Sequence, residues 1–152
     1  MSDAARRALA DDLRDVWAPR AGTGPVTVLD VGDGSDGLLL AGDGHQVTVL
    51  ARSPDDVRGR VDQARLGHRC TVVTELAPSV AWIDVAVAHD TPLTHDAVAD
   101  LASRVRPGGF VSLAGRDRPT ADDAERWLAD AGLRVVVRRD DRLWHVLAVT
   151  GR

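Results

Sequence analysis

The sequence predicts an α/β domain built on a mostly parallel β-sheet with helices on both faces. Three observations carry the prediction. Short runs rich in β-branched residues, such as VTVLDV and DVAVA, are continuous enough to be covered on both faces of a sheet. Between them, apolar residues recur at helical spacing. At VLDVGDGSDG (28–37), a strand passes through glycines into a short helical run, the junction that α/β sheets use to hold ligands. At 152 residues the chain suits one domain, 1–152, with 1–25 as an N-terminal helix and linker.

Taken in order, residues from Ser2 to about Trp17 place Ala5, Leu9, Leu13 and Val16 on one helical face. Strands are expected at Val26–Val31, Gln46–Ala51, Cys70–Val73, Ile83–Ala88 and Phe110–Ala114. A short helix, LLLAGD, follows the glycine turn and spans less than two turns. Pro54, at a first helical position after Ser53 as cap, opens a helix with Val57, Val61 and Ala64 inward. A further helix runs from about His95 to Val105, burying Val98, Leu101, Ala102 and Val105, and stops at Pro107-Gly108-Gly109. Thr120-Ala-Asp-Asp123 reads as a capping box for a helix that buries Ala124, Trp127, Leu128 and Ala131 before Gly132. Leu133–Arg138 and Leu143–Val149, joined through Arg139-Asp140-Asp141-Arg142, read as an antiparallel hairpin.

Composition removes whole classes of chemistry. The net charge of −4 offers no basic face for nucleic acid, so no nucleic-acid partner is expected. No apolar run reaches membrane-spanning length and no signal-peptide core is present, which predicts a protein without a membrane partner. The single cysteine, Cys70, excludes an internal disulfide and fits a reducing cytoplasm; it reads as a small buried apolar residue. The chain has no lysine, no asparagine and no tyrosine, a bias that suggests a GC-rich, bacterial coding sequence. Without lysine there is neither a Schiff base nor a P-loop, and acid–base work falls to five histidines and the carboxylates.

Asp30-Val-Gly32-Asp-Gly34 has a mechanical reading. Both glycines can adopt φ > 0 and let a ligand approach the main chain, and the next helix would open with N–H groups facing that space. At this point the sequence resembles the class I S-adenosylmethionine-dependent methyltransferases. The resemblance spans about Val26 to Val149. It rests on VLDVGDG, GHQVTVLARSP, WIDVAVAHD, RVRPGGFVSLAG and the LADAGLRVVV helix exit before a terminal hairpin. It implies a Rossmann-like, seven-stranded sheet in the order 3-2-1-4-5-7-6, with the last strand antiparallel. The ligand would lie at the carboxyl ends of the strands. Residue by residue, it implies Asp30, Gly32 and Gly34 around the methionyl part of S-adenosylmethionine and Glu75 at the adenine amino group. His89 and Asp90 would stand beside the amino acid part and the transferable methyl group.

Three features depart from that pattern. Asp36 stands where a third glycine is expected, with Gly37 following, and its side chain is expected to crowd the turn. Ala51 replaces the acidic residue that would hold the ribose hydroxyls, a loss of about 1.5–3 kcal/mol. The helix after the turn is short. Arg52, next to Ala51, could instead meet a ribose 2′-phosphate as in an NADP site, although the usual tyrosine–lysine pair cannot exist here.

His89-Asp-Thr-Pro-Leu-Thr-His95-Asp96 sets two histidines and two aspartates in the loop after the fourth strand, where substrate meets cofactor in an open sheet. His89 is the candidate base toward an oxygen or nitrogen nucleophile, and His95 opens the helix with Thr94 or Asp96 near its cap. No third ligand has metal-binding spacing, so no metal is expected. Trp127 and Trp144 read as packing; Trp17 could cover the cleft; His45, His68 and His145 reveal no partner. Little chain remains to enclose a substrate, so either the molecule is small or a second subunit closes the site. Three functions stay open: methyl transfer to a small molecule; a degenerate methyltransferase-like binding, structural or regulatory subunit; and, third, a nucleotide-dependent oxidoreductase.

Overall fold

A computed structural model describes residues 4, 7–9, 11–12, 24–140 and 143–151. The seven strands follow the order β3-β2-β1-β4-β5-β7-β6, as the resemblance implies. The chain forms two compact units, Met1–Ala77 and Pro78–Arg152.

In the first unit, β1 (Thr27–Asp30) pairs in parallel with β2 (Gln46–Leu50), and β2 with β3 (Cys70–Val73). Val28, Leu29, Val47 and Val49 are buried, each contributing about 1.5–3 kcal/mol relative to exposure. Helix α1 (Ser35–Gly42) is just over two turns long, because it begins inside the glycine turn and not after it, as LLLAGD alone suggested. Gly44, at φ +101°, ends it. Helix α2 (Pro54–Gln63) buries Val57 and Val61 as predicted. Ala64 is exposed, because it is already the C-cap, and Ser53 occupies the N-cap position without a side-chain capping bond. At the N-terminus, the described residues 4, 7–9 and 11–12 are helical and Leu9 is buried. Ala5, Leu13, Val16 and Trp17 lie outside the described residues.

In the second unit, β4 (Ile83–His89) is parallel to β5 (Val105–Gly115), while β5–β7 and β6–β7 are antiparallel, with β6 Leu133–Asp140 and β7 Trp144–Thr150. Residues 85–89, 109–114 and 144–149 are buried without interruption, the burial of strands covered on both faces. Helix α3 (His95–Arg104) buries Val98 and Leu101, and α4 (Ala121–Asp130) buries Ala121, Ala124 and Leu128. Ala102, Trp127 and Ala131 are half-buried, less than their spacing suggested. Asp141 and Arg142 of the predicted hairpin link lie outside the described residues.

Pro107-Gly108-Gly109 differs from expectation in an instructive way. It ends no helix; α3 stops at Arg104 and the chain passes directly into β5. Ile83 faces Val105 while Val85 faces Phe110, so 106–109 bulge out of the ladder. Gly108 has φ +79°. A Cβ on Gly109 would lie 2.7 Å from the Asp84 carbonyl oxygen and 2.5 Å from a Val105 methyl. The bulge is held by an ion pair from Arg106 Nε to Asp84 Oδ1, and by the Thr150 hydroxyl donating to the Arg106 carbonyl at 2.8 Å.

Helix α4 opens with the capping box that the sequence predicted. The Asp123 N–H donates to Thr120 Oγ1 and the Thr120 N–H to Asp123 Oδ2, both at 3.2 Å. On β6, Arg138 pairs with Asp122 and Glu125 of α4 and with Asp140, and these carboxylates raise its pKa further.

Two outcomes follow from these contacts. Gly109→Ala should lower stability by about 1–3 kcal/mol, because the added methyl meets both a β-branched Val105 methyl and the Asp84 backbone; denaturant unfolding checks it, and an unchanged midpoint would refute the bulge geometry. The Thr120 hydrogen bonds, aided by Arg126, hold the Asp123 carboxyl below its ordinary 3.8. A carboxyl depressed on folding stabilises above the unfolded value, and the effect is lost as pH falls through the lower folded value. An NMR titration of Asp123 should therefore give a midpoint below 3.8, and Asp123→Asn should remove that share of the acid sensitivity.

Candidate functional site

In the first unit the candidate site is the corner between β1 and α1. Asp30, 0% exposed, ends β1, and its carboxylate accepts from the Gly32 N–H through Oδ1 and the Gly37 N–H through Oδ2, both at 2.7 Å. Distances of this kind mark charge-assisted bonds. One side chain thus fixes both ends of the turn. Gly34 stands at φ +88°, where a side chain is strained.

The spacing Gly32-x-Gly34-x-x-Gly37 is the complete dinucleotide-type fingerprint, and Gly37 performs its third task. A Cβ there would lie 3.0 Å from Val47, 3.1 Å from Val49 and 3.0 Å from Asp30 Oδ2, so glycine lets α1 settle onto β2. Asp36 is not the displaced third glycine; it lies buried in the first turn of α1. The first-turn N–H groups are also engaged more than expected. Ser35 N–H donates to Asp33 Oδ1 at 2.9 Å, and Gly37 N–H is taken by Asp30. Arg60, from α2, clamps the turn from outside through the Asp33 carbonyl and, at 3.1 Å, the Ser35 hydroxyl. Arg60 carries no sequence signal beyond a charge in the last turn of a helix.

Other first-unit candidates lie on the rim. Glu75 is exposed in the bend after β3, Ala51 is buried at the end of β2, and Arg52 beside it is exposed. Cys70 is buried, and burial together with the Asp30 charge pushes its thiol pKa upward, keeping it protonated and unreactive. His45 has a partner after all, accepting the Val26 N–H at Nδ1 (3.2 Å).

In the second unit His89 is the last residue of β4, not a loop residue, and is 3% exposed. Its Nε2 lies 2.6 Å from Ser112 Oγ, which lies 2.9 Å from His145 Nε2. His89 and His145 flank Ala114 in register, and their rings meet edge to face at 5.7 Å. The small Ala114 leaves room for both. One hydroxyl proton serves two imidazole nitrogens, so Ser112 donates to one ring and accepts from the other. Sequence reasoning left Ser112 and His145 without roles; the signal available was a single polar residue in each of two apolar strands.

Asp90 is the first residue beyond β4, exposed, with φ +53° and its N–H bonded to the Ala114 carbonyl at 2.8 Å. A non-glycine residue at such angles is uncommon and concentrates at functional sites. Arg116 approaches its carboxylate at 3.6 Å. A cavity of about 330 Å3 opens here, lined by Asp90, Arg116, Asp117, Arg118, Pro119 and Trp144 among others. Trp144 lies across Gly115, whose Cβ would come within 2.8 Å of the indole. His95 opens α3 beneath the Thr94 cap, as predicted, but turns away to Asp130 (3.1 Å) and the edge of Trp127.

No protein-family model matches the sequence, and no curated protein matches it in sequence. Solved structures do. The Burkholderia thailandensis 1,6-didemethyltoxoflavin-N1-methyltransferase, with 1,6-didemethyltoxoflavin and S-adenosylhomocysteine bound, is 18% identical. The match covers 99% of this chain and 80% of that one, with a TM-score of 0.78. The magnesium protoporphyrin IX methyltransferase of Synechocystis PCC 6803, with S-adenosylmethionine bound, is 17% identical over 96% and 79% of the two chains, with a TM-score of 0.74. The [4+2]-cyclase SpnF is 17% identical over 93% and 81%, with a TM-score of 0.72. Identities at this level speak for architecture, and together with the strand order they establish that this chain has the Rossmann-like fold of the class I S-adenosylmethionine-dependent methyltransferases.

Proposed function

We propose that the protein is an S-adenosylmethionine-dependent methyltransferase acting on a small molecule through an oxygen or nitrogen nucleophile. The observation that carries the reading is the glycine turn: a complete Gly32–Gly34–Gly37 pattern, closed by the buried Asp30 carboxylate, in a sheet of this order. The glycine main chain fits the methionyl part of the cofactor, and the exposed Glu75 carboxylate fits its adenine amino group. Ala51 fits less well, because it offers nothing to the ribose hydroxyls. When bound, the cofactor supplies an electrophilic methyl group.

This chain's own residues divide the remaining work. Asp30 touches no ligand with its two bonded oxygens; it positions the turn. Asp90, exposed at the end of β4, orients the nucleophile and takes up or passes on its proton. His89 supports Asp90 from inside the sheet, its Nε2 committed to Ser112. Cytoplasmic residence suits the buried, reduced Cys70.

The second reading, a methyltransferase-like binding or regulatory subunit without catalysis, draws on Ala51 and on the burial of His89. It predicts partner binding, to a second copy or another protein, in place of turnover.

Titration calorimetry with S-adenosylhomocysteine separates the two. Binding at micromolar concentration is expected; no heat at millimolar ligand would end the enzyme reading. Asp30→Asn places an amide N–H against a backbone N–H, so it should destabilise the fold by about 1.5–3 kcal/mol and weaken S-adenosylhomocysteine. Asp36→Gly should leave its affinity nearly unchanged, since Gly37 already fills the third glycine's task; a large gain in affinity would instead restore the reading of Asp36 as an obstruction.

A further inference from the structure

The cavity at the end of β4 and β5 carries a more specific reading. We propose that it binds a zwitterionic amino acid with an apolar or aromatic side chain. The site thereby names the substrate class; only the bound molecule's role as methyl acceptor rests on the methyltransferase reading.

The lining alternates in charge: Asp90, Arg116, Asp117 and Arg118. A simple anion would face two carboxylates there, and a simple cation two guanidiniums. A molecule bearing both charges a few ångströms apart is complementary to each pair at once. The ion pair between Arg116 and Asp90 in the lining is long. Arg116 Nη2 stands 3.6 Å from Asp90 Oδ2, with the two side chains 57% and 32% exposed. A partly solvated pair at that distance contributes little, so a ligand's carboxylate and ammonium can replace it with shorter contacts.

Pro92, Pro119 and Gly115 supply the hydrocarbon of the remaining wall beside Thr91, and the buried Trp144 backs it across Gly115, where no side chain fits. Such a surface accepts a hydrophobic side chain without ordering cost. Trp144 Nε1 has no hydrogen-bond partner among the described residues. A volume of about 330 Å3 lies at the small end of ligand sites and matches an amino acid.

Transfer to such a molecule balances simply. Its ammonium loses one proton to solvent past Asp90. The nitrogen lone pair then forms the N–CH3 bond as the donor's C–S bond breaks, and that electron pair stays on sulfur.

Calorimetric titration of the full chain with L-phenylalanine, 3-phenylpropionate and phenethylamine tests the proposal, with and without S-adenosylhomocysteine. L-phenylalanine should bind, and each analogue lacking one charge should bind about tenfold more weakly or worse. Arg116→Gln should weaken L-phenylalanine and 3-phenylpropionate but spare phenethylamine. Asp90→Asn should weaken L-phenylalanine and phenethylamine but spare 3-phenylpropionate. Equal affinity for all three probes, no binding of any, or indifference to both exposed substitutions would overturn it. S-adenosylhomocysteine binding without L-phenylalanine binding overturns this proposal alone. L-phenylalanine binding without S-adenosylhomocysteine binding supports the site and removes the methyltransferase reading.

Discussion

A carboxylate with no solvent contact is costly unless its oxygens are fully engaged, and Asp30 meets that condition in one particular way. Its two oxygens bridge residues 32 and 37, so the charge is compensated by backbone N–H groups and by the positive end of α1. Everything at this corner follows. The turn is closed, α1 starts at Ser35, and the glycine that must approach β2 is the one whose N–H the carboxylate holds. The same charge acts on buried Cys70, at the start of β3, and helps keep its thiol neutral.

The second unit solves a different problem, that of polar groups inside a sheet buried on both faces. The Nε2 atoms of His89 and His145 are joined through the Ser112 hydroxyl across β4, β5 and β7, and the arrangement demands a small residue at 114. A network with a single shared hydroxyl is directional, which fixes ring orientation at the edge where Asp90 leaves the strand. Rigidity below and exposure above are what a binding edge on a sheet requires.

Much of this was legible in the sequence. Strands announced themselves because burial on both faces leaves only apolar residues, and the Thr120 capping box because its chemistry is local. What was lost is non-local. Nothing in Pro107-Gly108-Gly109 distinguishes a turn that ends a helix from a bulge inside a strand; the difference lies in Asp84 and Thr150, far along the chain. Asp36 looked like a missing glycine because the resembling family's pattern sets its third glycine there. Packing against Val47 and Val49 identifies Gly37 instead. The partner of His89 sits 23 residues away and that of Ser112 another 33, beyond any pattern of period two or 3.6.

The border of the sheet carries its own consequence. β6 is the last strand in the order, and an open strand is a template for accretion with other chains. Arg138 is pinned there by carboxylates from α4 and from its own strand, with exposed Arg134 and Arg139 alongside. An incoming strand would have to strip water from these guanidiniums and dislodge an anchored one. That toll favours a dispersed protein over fibrous stacking, even though the strand behind it, β7, is almost wholly apolar.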